Sequence, residues 1–460
     1  MIDVRTLSEQ PVAVCGLGRS GLSAALALKE SGAQVWAWDD EPDTRDRAAA
    51  AGVPLVDLTA CDWTRPVALV LSPGIPLSHP KPHPVAELAN KAGVEIICDI
   101  ELLARTQTDA TLVGVTGTNG KSTTTALIGH LLGAAGKQVE IGGNLGVPAL
   151  DLEPLGKAGS YVLEVSSYQL DLLSSAVFDV AVMLNISPDH LDRHGGMAGY
   201  VATKKTIFRG QSALQTAIIG LDDDHCQAIY DELTARGDRD VIPVSGHRVI
   251  PGGVYVSQGI LYDATEDGGA RAIIDLSAIK TLPGAHNAQN AAAAYAAAKA
   301  TGLAVSDIVD GLRSFPGLAH RQELVDVVDG ISYVNDSKAT NVEAAVRALV
   351  CYGDIYWIAG GRAKEGGYDA IAGHLGNVRQ AFLIGEAAND IARALDGHVP
   401  WTLSGTLSTA VAQAHRAALD GNGGVVLLSP ACASFDQFKN FESRGDFFRD
   451  AVAALREVGT

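Results

Sequence analysis

No excess of basic residues marks this chain: its formal net charge is −18 over 460 residues. Nucleic acid and anionic membrane both demand a basic surface, so neither is expected as a partner. There is no Cys-x-x-Cys pair. The six cysteines, at positions 15, 61, 98, 226, 351 and 432, are scattered and fit reduced, mostly buried thiols. No uninterrupted apolar run reaches spanning length, and Met1 to Thr6 show no basic stretch leading into an apolar one. A cytoplasmic protein is expected. A Gly-x-Ser-x-Gly elbow for making an acyl-enzyme is absent too. What is there, 47% hydrophobic with 19% charged residues, suffices for about two to four domains with cores of their own.

The densest chemical signal runs from Leu112 to Thr125. Leu112 to Val115 is an apolar run expected as a buried strand, and a helix is expected just after Gly120. Between and after them stand Gly117, Thr118, Asn119, Gly120, Lys121, Ser122, Thr123 and Thr124. Glycines let the backbone turn tightly and aim several N–H groups at an anion. The helix N-terminus adds partial positive charge, Lys121 reaches for β- and γ-phosphates, and the Ser122 hydroxyl can hold Mg²⁺. The general P-loop pattern would place Gly at Val115; here Gly117 does the tightening. This is a nucleoside-triphosphate site.

Upstream, the strand Pro11 to Cys15 leads into Gly16, Leu17, Gly18, Arg19, Ser20 and Gly21, then a helix to about Glu30. A second strand, Gln34 to Trp38, ends at Asp39 and Asp40. That is the dinucleotide fingerprint, with an acid roughly twenty residues on. A nicotinamide-dependent dehydrogenase is one reading; any nucleotide diphosphate would serve equally. A third strand, Val67 to Leu71, runs into Ser72, Pro73 and Gly74, where open α/β sheets place ligands. Pro76 to Pro84 is expected to be extended linker.

Downstream of the P-loop, Gly142 to Gly146 offers one amide, Asn144, from a Gly-rich loop. Glu164 ends an apolar strand, where a carboxylate is costly unless paired or metal-bound; beside a P-loop a Mg²⁺ role is favoured. Another strand, from Val180, precedes Asp189, His190 and His194. Two histidines four apart could form half a zinc site, but no matching Cys or Glu pattern follows, so His190 on Mg²⁺ or substrate is the better reading. Tyr200 to Phe208 is expected helical, and its pattern alone favours a surface Lys204. Leu214 to Lys280 is expected to mix short strands and Gly-rich turns. Asn287 and Asn290 lie one turn apart at the start of an Ala-rich helix.

From Phe315 the pattern restarts. Strands from Ile331, Ile355, Ala381 and Val425 each end in a polar cluster: Asn335 to Asn341, Gly360 to Lys364, Gly385-Glu386, and Ser429 to Phe441. Three strand–helix systems in succession predict three α/β domains. Their expected spans are 1–107, 108–317 and 318–460.

Gly117 to Thr123, Asn144, Glu164, Asp189-His190, the Lys204 segment, His286-Asn287 with Asn290, and His320-Arg321 together resemble the Mur ligase family. Asn335 to Asn341 and Ser429 to Phe441 look like the branch of that family that adds D-glutamate. The Asp-Asn-Pro-Arg motif of the diaminopimelate- or lysine-adding branch is absent. The resemblance implies an N-terminal Rossmann-like domain, a central P-loop ATPase domain and a C-terminal Rossmann-like domain. It makes the first Gly-rich turn a UDP-sugar site, built from Gly16, Leu17, Gly18, Arg19, Asp39, Asp40, Ser72, Pro73 and Gly74 with Asn144 and His190. Asp40 stands where a hydroxyl residue is common. ATP falls to Gly117 through Thr124, Asn287, Asn290, Arg321 and Asp336.

The implied reaction is amide formation between UDP-N-acetylmuramoyl-L-alanine and D-glutamate. A free carboxylate needs a leaving group, so the γ-phosphoryl of ATP would pass to it and the amine would attack the acyl-phosphate. Such a transfer needs charge neutralisation above all. Lys121 and two Mg²⁺ ions would provide it, one ion near Ser122 and Glu164, the other near His190, with Lys204 a candidate for carbamylation. D-Glutamate brings two carboxylates, for which Lys364 is the expected point charge. Thr340 and Ser434 supply hydroxyls, Phe435 and Phe441 backbone N–H groups, and Asp189 and Lys338 complete the set. A monomer with hinges near residues 107 and 317 is expected.

Overall fold

The computed structural model describes residues 1–279, 281–284, 286–363 and 367–458. Its strands are short and rich in Val, Ile, Leu and Ala, as sheets covered on both faces require. The first sheet holds β1 (Pro11–Cys15), β2 (Gln34–Trp38), β3 (Ala68–Leu71) and β4 (Glu95–Ile97) in the order 2-1-3-4, all parallel. Between β3 and β4, the Pro/His run stays irregular as far as His83. There the imidazole caps the helix Pro84–Ala92 by accepting from the Val85 N–H.

The second sheet has nine strands. They are β5 (Thr111–Thr116), β6 (Gln138–Gly143), β7 (Gly159–Glu164), β8 (Val180–Met183), β9 (Thr216–Gly220), β10 (Asp240–Ser245), β11 (Val254–Ser257), β12 (Ile260–Asp263) and β13 (Arg271–Asp275). The order is 13-12-11-10-9-8-5-7-6, parallel except for the antiparallel pairs 11–12 and 12–13. One expectation fails here. Residues 224–236, taken with the short strands and turns, form the helix Asp224–Arg236. Its signals are local: Asp223 caps it through the Cys226 N–H and Gly237 ends it at φ +61°.

The third sheet holds β14 (Glu323–Val328), β15 (Ile331–Asn335), β16 (Ile355–Gly360), β17 (Val378–Ile384), β18 (Trp401–Gly405) and β19 (Gly424–Leu428). Its order is 14-15-19-16-17-18, with only the hairpin 14–15 antiparallel. Apolar clusters line both of its faces.

In the first two sheets neighbouring strands send their connections in opposite directions, β1 to β2 but β3 to β4, and β5 to β6 but β8 to β9. Such a reversal opens a crevice at the strands' carboxyl ends, where ligands of open α/β sheets bind. The residues just beyond β1 and β5 are Gly16 and Gly117; in the third sheet β19 is inserted between β15 and β16 and is followed by Ser429.

The chain packs as two compact units. One runs from Met1 to Ala278 and resumes through Phe315; the other takes Pro316 onward and the short segment Ile279–Gly284. A continuous apolar core joins the first two sheets within the first unit. No described helix is long and apolar enough to cross a membrane. All six cysteines are free.

Candidate active site

The loop after β5 is shaped by two glycines with positive φ. Gly117 sits at φ +153° and Gly120 at φ +84°, where it caps the helix Lys121–Ala134. A Cβ on Gly120 would come 2.2 Å from Oδ1 of Asn290, so the loop and the Ala-rich helix His286–Ala300 touch without spare room. Asn290 donates to Oδ1 of Asn287 at 2.9 Å, which keeps both amides together as expected. Lys121 Nζ donates to the Gly117 and Thr118 carbonyls, each at 2.9 Å, so the loop curls around the ammonium. Thr118 Oγ1 meets the Ser187 backbone and the Tyr200 hydroxyl. Ser122 and Thr123 are buried, and Thr124 Oγ1 is buried with no hydrogen-bond partner among the described residues.

Glu164 ends β7, in register with Val115 of β5. Its Oε1 accepts from Asn144 Nδ2 at 2.6 Å, whereas Oε2 is buried without any hydrogen bond among the described residues. An orphaned carboxylate oxygen costs about 1–3 kcal/mol or more, a cost that a bound cation would remove. The donors present, a serine hydroxyl and a carboxylate beside a phosphate-binding loop, suit a hard cation such as Mg²⁺. His190 holds φ +50°, unusual for a residue with a side chain, and its half-exposed ring lies 5.1 Å from that of Tyr168. His194 is engaged elsewhere: Nε2 meets Ser167 Oγ at 3.0 Å and Nδ1 meets Asp171 at 3.2 Å, while burial pushes its pKa down.

Lys204 corrects its surface reading. Only 1% of it is exposed, and its Nζ donates to Gly117 O at 2.9 Å and Thr116 Oγ1 at 3.2 Å beside the Tyr200 ring. Burial, reinforced by the Lys121 charge and opposed by Asp189, pushes its pKa down to about 7. Its surroundings thus favour the neutral amine more than an exposed lysine's would.

At the end of β1, Gly16 (φ +87°) leaves no space for a side chain: a Cβ there would lie 2.6 Å from Ser72 and Ile75. A Cβ at Gly18 would meet nothing within 4 Å, and Arg19 beside it is exposed, so this end of the turn opens to a ligand. Asp39 clamps the turn, accepting from the Leu17 N–H at 2.6 Å and the Glu41 N–H at 2.9 Å. Asp40 pairs with His83 at 2.9 Å. Arg193, which the sequence did not single out, donates to the Gly74 carbonyl at 3.0 Å and the Pro73 carbonyl at 3.4 Å, and covers the Tyr168 ring. Its place inside the Asp189 to His194 motif was the available signal.

In the second unit, Asp336 is buried after β15, accepting from Ser429 Oγ at 2.8 Å and the Gln322 N–H at 3.2 Å. Burial raises its pKa to about 7, against the pull of Arg321 and the hydrogen bonds. Lys338 Nζ lies over the Phe441 ring at 5.4 Å, and the Thr340 N–H donates to the Lys338 carbonyl. Ser434 is buried and Phe435 is 62% exposed. Lys364 lies outside the described residues. The residue missed here is Arg444: buried, it donates to Ser337 Oγ, Ser337 O and Cys432 O, tying the loops after β15 and β19 together. Its Nη1 finds no partner among the described residues, and burial pulls its pKa down to about 10.

A parallel-rich α/β fold with a phosphate-binding loop, a buried half-satisfied carboxylate and a buried lysine defines an ATP-using transferase or ligase site. Residues 115–298 match the Mur ligase middle domain and residues 320–432 the Mur ligase, glutamate ligase domain, and the chain belongs to the Mur ligase family. It is 53% identical to the UDP-N-acetylmuramoylalanine--D-glutamate ligase of Caulobacter vibrioides, covering 100% of this chain and 99% of that one. Identity to the ligase of the same name from Rhodospirillum rubrum is also 53%, over 99% and 97%. Among solved structures, UDP-N-acetylmuramate-alanine ligase MurC from Thermotoga maritima shares the fold at TM-score 0.59 and 16% identity, over 97% of this chain and 99% of that chain. MurF from Acinetobacter baumannii does so at TM-score 0.59 and 18% identity, over 98% and 93%. The dehydrogenase reading of the first Gly-rich turn finds no support in these matches.

Proposed function

We propose that this chain joins D-glutamate to UDP-N-acetylmuramoyl-L-alanine with hydrolysis of ATP to ADP and phosphate, as an amide ligase of cytoplasmic peptidoglycan precursor synthesis. The observation that carries this reading is 53% identity to D-glutamate ligases along the whole chain. The local chemistry agrees with it. Lys121, lying against the P-loop carbonyls, stands where negative charge collects during phosphoryl transfer. The alanyl carboxylate takes the γ-phosphoryl group and ADP leaves; the amine of D-glutamate then attacks the acyl carbon, phosphate departs, and the amine proton is released.

Ser122 and Glu164 would hold one Mg²⁺, and His190 with a carbamylated Lys204 a second; bound there, the ions would supply the positive charge that lets two anions meet. Thr118, Asn119, Gly120, Thr123, Thr124, Asn287, Asn290, Arg321 and Asp336 complete the ATP site in this reading. Gly16, Leu17, Gly18, Arg19, Asp39, Asp40, Ser72, Pro73, Gly74 and Asn144 hold the UDP-sugar. Asp189, Lys338, Thr340, Lys364, Ser434, Phe435 and Phe441 hold D-glutamate. The three sheets support domains at 1–107, 108–317 and 318–460, and the enzyme acts as a monomer. The test is ADP release measured with each substrate omitted in turn. It should require UDP-N-acetylmuramoyl-L-alanine and D-glutamate together, and equal release without D-glutamate would refute the reading.

A further inference from the structure

The phosphate-binding loop is gripped from outside by a side chain that no motif pointed to. Asn185 follows β8 by two residues, and its Oδ1 accepts from the Asn119 N–H at 2.9 Å while its Nδ2 donates to the Asn119 carbonyl at 3.2 Å. Its own backbone carbonyl accepts from the Thr118 N–H at 2.8 Å. One residue thus holds two consecutive loop residues by three hydrogen bonds.

Asn185 is itself held. Its Nδ2 also donates to Gln289 Oε1 at 2.9 Å, and Gln289 Nε2 donates to Asp222 Oδ2 at 2.9 Å. Gln289 is buried on the first turns of the helix His286–Ala300, between Asn287 and Asn290. Asp222 takes the Ser245 hydroxyl and the Gly246 N–H as well.

A side-chain amide is a donor at one end and an acceptor at the other, so its direction must be set by its neighbours. A carboxylate only accepts, so Asp222 turns the NH₂ of Gln289 toward itself and the oxygen toward Asn185. That oxygen in turn demands the NH₂ of Asn185, which leaves the Asn185 oxygen for the Asn119 N–H. The demand from the loop end, where an N–H needs an acceptor, is the same. Both amides are fixed by agreement between a carboxylate at one end and a peptide at the other.

We propose that Asp222, Gln289 and Asn185 are positioning residues that keep the phosphate-binding loop in its ATP-ready shape, the carboxylate acting on the loop through two amides in series. The inference rests on the reading of Gly117 to Thr124 as the ATP site. None of the three touches the reacting atoms, and no proton moves along the series.

The test exchanges the ends of one link, with Kd for Mg-ATP read by calorimetry and KM for all three substrates. Asp222→Asn removes what fixes Gln289, and Gln289→Glu sets two carboxylates against each other. Each alone should weaken Mg-ATP binding about tenfold or more, while KM for the UDP-sugar and for D-glutamate stays within about twofold. Asp222→Asn combined with Gln289→Glu keeps one carboxylate and one amide in exchanged places and still presents an acceptor to Asn185, giving up only the bond from the Gly246 N–H, which shares Oδ2 of Asp222 with Gln289. That double variant should bind Mg-ATP within about threefold of wild type, a rescue no purely structural loss would give. If a single variant does not fold, the double variant decides alone. Losses that multiply in the double variant, or a parallel rise of all three KM values, would overturn the proposal. Wild-type protein that fails to bind Mg-ATP, or Lys121→Ala that binds it unchanged, would instead overturn the ATP-site reading.

Discussion

Glu164 and Asn144 form a carboxylate–amide pair 2.6 Å apart that satisfies one carboxylate oxygen and leaves the other buried without a hydrogen bond among the described residues. The register of β7 against β5 sets that pair beside Val115, two residues before Gly117. A group kept in this state is costly to the folded chain, and on the proposed reading a cation arriving with the nucleotide would offset that cost. Glu164→Gln should therefore lower kcat about a hundredfold or more at saturating Mg²⁺. In EDTA the variant should melt no lower than wild type, since the buried charge is gone. Unchanged kcat, or a large loss of stability in EDTA, would mark Glu164 as structural.

Lys204 carries a second prediction. With its pKa pushed down to about 7, the folded chain binds fewer protons than the unfolded chain from there up to the ordinary lysine range. Its burial therefore destabilises the fold at low pH, and that penalty fades as pH rises through this window. Lys204→Met should melt higher than wild type below pH ~7, with the advantage shrinking above it. The same variant, like Lys204→Ala, should lose nearly all turnover, and removing bicarbonate should lower wild-type activity. Full turnover in Lys204→Ala would remove this lysine from the mechanism.

Asp336 titrates with the opposite sign, because burial here favours keeping a proton and not losing one. Its pKa, raised to about 7 by burial, makes the folded chain hold a proton that the unfolded chain gives up near pH ~4. The stability tied to that proton is fully present below about pH 4 and is lost as pH climbs to about 7. Asp336→Asn, compared with wild type by melting across this range, should gain stability steadily as pH rises, by up to a few kcal/mol. A difference independent of pH would contradict the buried, protonated state.

Arg444 is predicted to act on D-glutamate through the loops it ties. Arg444→Lys keeps a cation but loses the fork that reaches Ser337 and Cys432 together. KM for D-glutamate should rise about tenfold, while KM for the UDP-sugar barely changes. Equal changes in both would assign Arg444 to stability alone.

Local patterns placed much of this architecture. Pro11–Cys15 and Gln34–Trp38 have the expected limits, and the P-loop glycines and the Lys121 helix sit where their spacing put them. Asp224–Arg236 was hidden because three consecutive aspartates look like loop, although Asp223 is the cap that starts the helix. What sequence reasoning could not reach is set by partners distant along the chain. Lys204 is buried by Thr116 and Gly117, nearly ninety positions earlier, and an isolated helical stretch gives no hint of that. The Asn185–Gln289 contact joins a strand end to a helix over 104 positions, and Arg444 meets Ser337 across 107. Resemblance supplied roles for residues whose burial only the fold reveals.

On the proposed reading the alanyl carboxylate of the UDP-sugar is activated by phosphoryl transfer from ATP before D-glutamate attacks. Labelling both oxygens of that carboxylate with ¹⁸O and analysing the phosphate released tests it most directly. One labelled oxygen should pass to phosphate for each amide formed, the other staying in the product, and L-glutamate should not replace D-glutamate. Unlabelled phosphate, or label transfer without any amide product in the presence of D-glutamate, would contradict the account.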